Sequence, residues 1–179
     1  GFTLNYTLMQ MFNFTLGTDI TNDAIVESMG QDSVLNETWV TRENLGRSVT
    51  SYLNMNIPFK VGKFWTMNNN ITGIYMHFKG PIAGYEVDRG SFFIQANSFH
   101  NFRINPQWSF EASVNGNTPF IYNLFKIQGR INSDLGVNYN FKDQKSSLKL
   151  AVTDVFRSNR NNLDTDFNEF RSSIRQYND

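Results

Sequence analysis

The chain has 179 residues, with 16 Lys and Arg against 16 Asp and Glu, so its formal net charge is zero. This neutrality argues against a nucleic-acid binder, which normally presents a basic surface, and we expect no nucleic-acid partner. The absence of Cys excludes a disulfide scaffold, a cysteine zinc site and a thiol nucleophile. Aromatic residues form 15% of the chain, which argues against disorder.

The first segment alternates with a period of two. Its apolar members are Phe2, Leu4, Tyr6, Leu8, Phe12, Phe14 and Leu16, with Thr, Asn, Met and Gln between most of them. We predict one strand over residues 2–16, which would extend roughly 50 Å at about 3.3 Å per residue. Soluble strands usually have about five or six residues, whereas a tilted membrane strand needs about 9–11.

The same period recurs to the end of the chain, and no helix-length segment shows a 3.6-residue period. We therefore predict an all-β fold, an antiparallel up-and-down meander of about eight long strands. The predicted strands lie near 2–16, 34–59, 63–78, 90–104, 107–116, 131–142, 146–156 and 166–177. The strand at 34–59 is treated as continuous, with Gly46 as the site of a bulge or kink.

The predicted connections alternate between long and short. The short ones are Lys60-Val61-Gly62, Asn105-Pro106 and Asp143-Gln144-Lys145, which are rich in turn-forming residues. The long ones include 17–33, 79–89 and 116–130. Transmembrane β-barrels have this arrangement, with short turns at one rim and long external loops at the other.

Aromatic residues gather beside the short turns. Rings at strand ends on one rim are what a membrane-interface girdle requires, because an amphipathic ring prefers the headgroup region. The alternative is that aromatic residues favour strands in general and pack in cores. The predicted interface residues are Phe59, Phe64, Trp65, Phe102, Trp108, Tyr139 and Phe141.

Three segments carry a resemblance to a known family. They are Glu43-Asn44-Leu45-Gly46 entering a strand, the run from Lys63 to Asn70 after a short turn, and the run from Ser147 to Phe156 with its Asp-Val-Phe ending. In their order and spacing they resemble the C-terminal barrel of TonB-dependent outer-membrane receptors, of the Bacteroidetes-type outer membrane protein beta-barrel family. The resemblance covers nearly the whole chain.

The resemblance implies a function and a place in the cell. Such receptors have barrels of about 22 strands, filled by a plug domain that contacts TonB, and they import a nutrient using the proton-motive force. It implies the Gram-negative cell outer membrane, with membrane lipid, TonB and an unidentified substrate as partners. No signal peptide, plug or final strand ending in an aromatic residue is recognisable. We therefore expect residues 1–179 to be one barrel segment of a larger chain, which could close into a small barrel when isolated.

The sequence offers little chemistry beyond this. His77 and His100 lack a carboxylate cluster at ligand spacing, and Asp164–Glu169 lacks the glycine and distal glutamate of a calcium loop, so we predict no metal or cofactor. Glu111 has no catalytic partner at a set spacing and is expected to be a lumen-facing charge. We expect no enzymatic activity, and we expect the loops 17–33, 79–89 and 116–130 to hold the substrate.

Two other functions remain open at this stage. The chain could be a soluble lipocalin-like barrel whose apolar face surrounds a small apolar ligand. It could also be a structural β-sandwich, although its turn spacing is uneven for that fold. The amides Asn5, Asn13, Asn54, Asn56, Asn138 and Asn140 are predicted to share the polar face in any of these folds.

Overall fold

A computed structural model describes residues 1–32, 37–44, 46–82, 85–122, 125–143, 145–158, 160–167 and 170–177. These residues form fourteen strands. They are β1 (Phe2–Leu8), β2 (Phe12–Asn22), β3 (Ile25–Asp32), β4 (Glu37–Asn44), β5 (Arg47–Val61), β6 (Trp65–Ile82), β7 (Tyr85–Arg103), β8 (Trp108–Asn117), β9 (Phe120–Tyr122), β10 (Phe125–Ile127), β11 (Arg130–Asn140), β12 (Ser147–Val152), β13 (Arg160–Phe167) and β14 (Phe170–Tyr177).

The main sheet has eight strands in the order β1-β2-β5-β6-β7-β8-β11-β12, and each neighbouring pair is antiparallel. This confirms the predicted antiparallel meander. In the described residues the sheet is open, with β1 and β12 at its edges, so the small closed barrel expected of an isolated segment does not form. No helix in the described part of the chain is long and apolar enough to cross a membrane.

The predicted strand at 2–16 is wrong, because it is a hairpin. Leu8 pairs with Phe12, so Met9, Gln10 and Met11 form a three-residue turn. Met9 and Gln10 adopt positive φ angles of 52° and 55°, and Met11 N–H donates to Leu8 O at 3.1 Å. Phe2 pairs with Thr18 and Tyr6 with Phe14, so even-numbered residues share a face on both strands. The alternation therefore runs unbroken through the turn, and the sequence lacks the Asn-Gly or Asp-Gly signal that marks the commonest hairpins.

Three further boundaries differ from the prediction. The segment 34–59 is divided between β4 and β5, and β4 pairs with β3 in a separate two-stranded sheet. Gly46 lies at this division with φ of 82°, and a Cβ there would lie 3.2 Å from Lys79 O, which explains the glycine. The segment 79–89 is not a loop, because β6 and β7 remain paired as far as Ile82 and Tyr85.

The C-terminal segment 166–177 was predicted to be the eighth strand of the meander, and this is also wrong. Its residues belong to β13 and β14, in a second sheet of order β14-β13-β10-β9. β13 pairs with β10, which comes from the connection predicted as the loop 116–130. The strand count stays at eight because the first segment supplies two strands.

All four turns within the main sheet at residues 9–11, 62–64, 104–107 and 141–146 lie at the same end, because each follows an odd-numbered member of the meander. We call this end the turn edge. The hairpin β3–β4, the paired extensions of β6 and β7, and the connection with β9 and β10 lie at the other end, which we call the loop edge. The predicted alternation of long and short connections is therefore wrong at β6–β7, where a short connection lies at the loop edge.

The turn at 141–146 yields a pH-dependent prediction. Asp143 Oδ1 accepts backbone N–H groups of Lys145 at 3.1 Å and Ser146 at 3.3 Å. The pKa of Asp143 lies below its ordinary value, and the main cause is the hydrogen bond from the Lys145 backbone N–H. A carboxyl group whose pKa is lower in the folded than in the unfolded state stabilises the fold at pH values above its unfolded pKa. The contribution of Asp143 should therefore be present at neutral pH and disappear on acidification.

We expect Asp143→Ala to lower the thermal unfolding midpoint at neutral pH. The gap from the native protein should close as the pH falls through the Asp range of about 4. Asp143→Asn is the matched control, since it keeps an oxygen acceptor without a titrating group. A gap that stays constant between neutral and acidic pH would contradict the role of the carboxylate.

Candidate functional site

The pairing register gives the main sheet two chemically different faces. We call one the apolar face, since it carries hydrophobic side chains on every strand. It includes Leu4, Phe14, Leu53, Met55, Ile71, Ile94, Phe110, Val114, Leu135, Val137, Leu148 and Leu150. Many of these side chains are strongly exposed, for example Leu150 at 71%. A hydrophobic surface of this extent is not left in contact with water, so lipid or a protein partner must cover it.

The strand ends are staggered as a tilted barrel wall requires. One row across the sheet joins Phe14, Met55, Ile71, Ala96, Gly116 and Ile131. Measured along the strand, this row lies two residues from the turn-edge end of β2 and nine residues from that end of β11. The stagger is therefore seven residues over five strand-to-strand steps. With about 3.3 Å per residue and about 4.8 Å between strands, the tilt is roughly 44°. Membrane barrels have tilts of about 35–45°.

The seven predicted interface aromatics all lie close to the turn edge. Six belong to the strands or directly follow one and have the parity of the apolar face, whereas Phe64 is part of the turn 62–64. The rings form two groups. Trp65 stacks on Phe102 with centroids 5.6 Å apart, and Tyr139 contacts Trp108 at 4.7 Å and Phe141 at 5.0 Å. Their role at a membrane interface stays a prediction.

A second aromatic row, which the sequence argument missed, lies towards the loop edge. Tyr75 and Phe92 are register partners on the apolar face, ten residues from the Trp65–Phe102 pair along the same strands. Ten residues span about 33 Å, or roughly 24 Å after a tilt of about 44°. This matches the apolar band of membrane barrels, which is about 25 Å tall.

Charges begin directly beyond this second row. His77 Nε2 lies 2.8 Å from Asp88 Oδ1, and Lys79 Nζ lies 3.4 Å from Asp88 Oδ2. Between the two aromatic rows, β6 and β7 carry no Asp, Glu, Lys or Arg on the apolar face. The boundaries of the apolar band therefore coincide with the aromatic rows on these two strands.

One chain of polar side chains interrupts the apolar band. Trp65 Nε1 donates to His100 Nδ1 at 3.3 Å, and His100 Nε2 lies 2.9 Å from Ser98 Oγ. Ser98 Oγ donates to Asn69 Oδ1 at 2.6 Å, and Asn69 Nδ2 donates to the Ile57 carbonyl at 3.3 Å. An indole N–H only donates, so with the His100 tautomer that carries its proton on Nε2 every step has one donor and one acceptor. We call these four side chains the polar relay.

The opposite face, which we call the polar face, is rich in amides. The six asparagines predicted to share it do so. Asn54 Nδ2 donates to Asn70 Oδ1 at 3.1 Å and to Thr72 Oγ1 at 2.7 Å, and Asn56 Nδ2 donates to Asn68 Oδ1 at 3.0 Å. Neutral amides satisfy each other here without the cost of desolvating a charge.

The connection between β8 and β11 folds onto the polar face at the loop edge. Phe120 stacks on Phe93 with centroids 4.1 Å apart, and the Ile121 backbone N–H donates to Ser91 Oγ at 2.9 Å. Phe93, Phe78 and Val87 are the buried hydrophobic residues of the described chain. Beside this cluster a polar cavity of about 220 Å³ is lined by residues that include Asn70, Thr72, Gln95, Asn97, Asn115 and Arg130. Of the three predicted substrate loops, the structure brings 116–130 onto the polar face.

The other residues considered for chemistry have structural partners. Glu111 Oε2 lies 2.6 Å from Lys149 Nζ on the polar face, and this ion pair reaches across β11. Asp164 accepts from Gln128 Nε2 at 2.6 Å, whereas residues 168–169 of the calcium-like motif lie outside the described residues. In the described chain no three His, Asp or Glu residues cluster as a metal site would need.

Comparison with known proteins gives one match. The model of the outer membrane protein beta-barrel family matches residues 1–179. No curated protein and no solved structure matches the chain.

Proposed function

The chain belongs to the outer membrane protein beta-barrel family and is therefore a protein of the cell outer membrane, and we propose that it forms part of the wall of a TonB-dependent receptor that imports a nutrient. In this proposal the apolar face contacts lipid and the polar face lines the lumen. The turn edge faces the periplasm and the loop edge faces the outside, as in bacterial barrels with short periplasmic turns.

The observation that carries the orientation is the uncharged band between two aromatic rows on β6 and β7. A lumen rich in amides complements it, because polar groups inside a barrel meet water or other protein. The interface role proposed for Phe59, Phe64, Trp65, Phe102, Trp108, Tyr139 and Phe141 follows from their position at the turn edge. A soluble lipocalin-like barrel is disfavoured, since family membership gives the apolar face a membrane to contact.

Import through TonB is tested by comparing two deletions in the source bacterium. One strain lacks the gene of this protein and the other lacks TonB, and both are grown on a panel of single nutrients. A TonB-dependent receptor should give a nutrient defect that both strains share, and a plasmid copy should restore growth only when TonB is present. Restoration in the strain without TonB would identify a passive channel instead.

No catalytic role is proposed. On the polar face, the carboxylate considered as a general acid, Glu111, pairs with Lys149. An enzyme would leave uptake of the nutrient intact while blocking its use, so uptake of the labelled nutrient by the deletion strain separates the two functions.

A further inference from the structure

The apolar face contains a groove that the proposed wall function does not require. Its volume is about 290 Å³, close to the lower limit of about 300 Å³ for small-molecule pockets. It lies between β7, β8 and β11, in the half of the apolar band nearer the loop edge. Its main lining residues are Ile94, Ala96, Ser98, Val114, Gly116 and Ile131.

The shape of the groove is fixed by the backbone. Ala96, Gly116 and Ile131 are register partners in one row, so the two small residues form a floor beside a large side chain. A Cβ on Gly116 would lie only 2.5 Å from Arg130 O, so the close approach of β8 and β11 excludes a side chain there. Ile131, Val114 and Ile94 are 62%, 45% and 39% exposed, and they form walls that an occupant could cover.

The chemistry of the lining excludes a polar ligand. Ser98 and Thr118 contribute the side-chain hydroxyls of the lining, and both are engaged, Ser98 Oγ by Asn69 and His100 in the polar relay and Thr118 Oγ1 by the Ile94 backbone N–H at 3.0 Å. Asn115 and Asn117 also line the groove, but they have the parity of the polar face. No charged side chain lines the groove. An occupant must therefore be held by apolar contact alone, which is worth roughly 25 cal/mol per Å² of surface removed from water, or less when the competing medium is hydrocarbon.

We infer that the groove is a retention site for one acyl chain of a bilayer lipid, a chain held longer than the lipid around it. The occupant is lipid because the groove is continuous with the apolar face of an outer-membrane protein and lies between the two aromatic rows. The inference rests on the proposed lipid contact of that face. A hydrocarbon chain needs no hydrogen bonds. It is also narrow enough to lie along the floor of small residues, where a branched side chain would not fit.

The test uses the protein folded into phosphatidylcholine vesicles that contain a lipid with a diazirine in its acyl chain. After irradiation, adducts are mapped by mass spectrometry to the groove residues Val114 and Ile131 and to Leu53, an exposed residue of the same face outside the groove. We expect several-fold more adduct in the groove than at Leu53. Ala96→Leu should lower the groove signal to the level at Leu53, because the larger side chain fills the floor of the groove. Ala112→Leu is the matched control on the same face and should leave it unchanged.

Each other outcome has a distinct meaning. Equal labelling of the groove and Leu53 would reduce the groove to ordinary lipid contact and overturn the inference while leaving the proposed orientation intact. Labelling of the polar face instead of both sites would overturn the orientation itself. A groove that stays unlabelled while Leu53 is labelled would show that protein rather than lipid covers it, and this would also overturn the inference. The comparison of groove and Leu53 within the native protein needs no variant, so misfolding of Ala96→Leu cannot obscure the result.

Discussion

Ile71→Arg is expected to destabilise the protein in phospholipid vesicles by about 2–4 kcal/mol, the cost of a cationic side chain on the lipid face near the bilayer midplane. Ile71 lies six residues from the turn-edge aromatic Trp65 and four from Tyr75, so it is near the middle of the apolar band. An arginine there either places its charge in hydrocarbon or must extend to an interface, and its side chain is too short to reach one easily. The measurement is a urea titration followed by tryptophan fluorescence.

Asn97→Arg is the matched control. Asn97 is exposed and lies on the polar face of β7, one residue from Ala96, the register partner of Ile71. The two variants introduce the same charge at nearly the same depth but on opposite faces. We expect the control to change stability by less than about 1 kcal/mol, because a lumen substitution remains in water. If Asn97→Arg were the more damaging of the two, the assignment of the faces would be reversed.

The faces could be predicted from the sequence because a strand has a period of two. Shifting the register by one residue would move every side chain to the other face, so a strongly apolar face fixes the pairing. Asn138 and Asn140 are predicted to lie on the polar face, and the register places both there. The same property explains why the first hairpin was not predicted. Tyr6 and Phe14 lie on opposite sides of the turn but keep the same parity, so the alternation continues through it.

The connections were harder to predict because their structure depends on distant partners. β9 and β10 have three residues each and carry almost no periodic signal. Their position depends on the stacking of Phe120 on Phe93 and on the pairing of β10 with β13, contacts made between distant parts of the sequence. The C-terminal segment alternates as a barrel strand does, and only its partner shows that it belongs to the second sheet.

The polar relay was invisible to the sequence argument for a related reason. From the sequence, His100 is considered only as a metal ligand, and nothing there indicates that Asn69, Ser98 and His100 meet. The register makes Asn69 and Ser98 direct partners and places Trp65 next to His100 across the strand pair. Four residues that each look unfavourable in lipid become acceptable once every donor finds an acceptor, since hydrocarbon offers no substitute partner.

Ser98→Ala should therefore be more destabilising than the loss of one surface hydroxyl. The change removes the acceptor for His100 Nε2 and the donor for Asn69 Oδ1, and it leaves two polar atoms without partners. Leaving a desolvated polar group unpaired costs about 1–3 kcal/mol. Ser109→Ala provides the control, because Ser109 lies on the polar face, where water can replace its contacts.

The relay also predicts a rescue that a simple loss of packing would not give. Replacing the interior members together, as Asn69→Leu, Ser98→Ala and His100→Phe, removes both sides of each broken hydrogen bond, so the triple variant should be more stable than Ser98→Ala alone. Trp65 then loses its acceptor, but as an aromatic near the turn edge it can turn its N–H towards the headgroup region. Urea titrations of the native protein, the three single variants and the triple variant in the same vesicles measure this directly. A triple variant whose loss equals or exceeds the sum of its three single losses would show that the side chains act independently, and the relay would then have no energetic role.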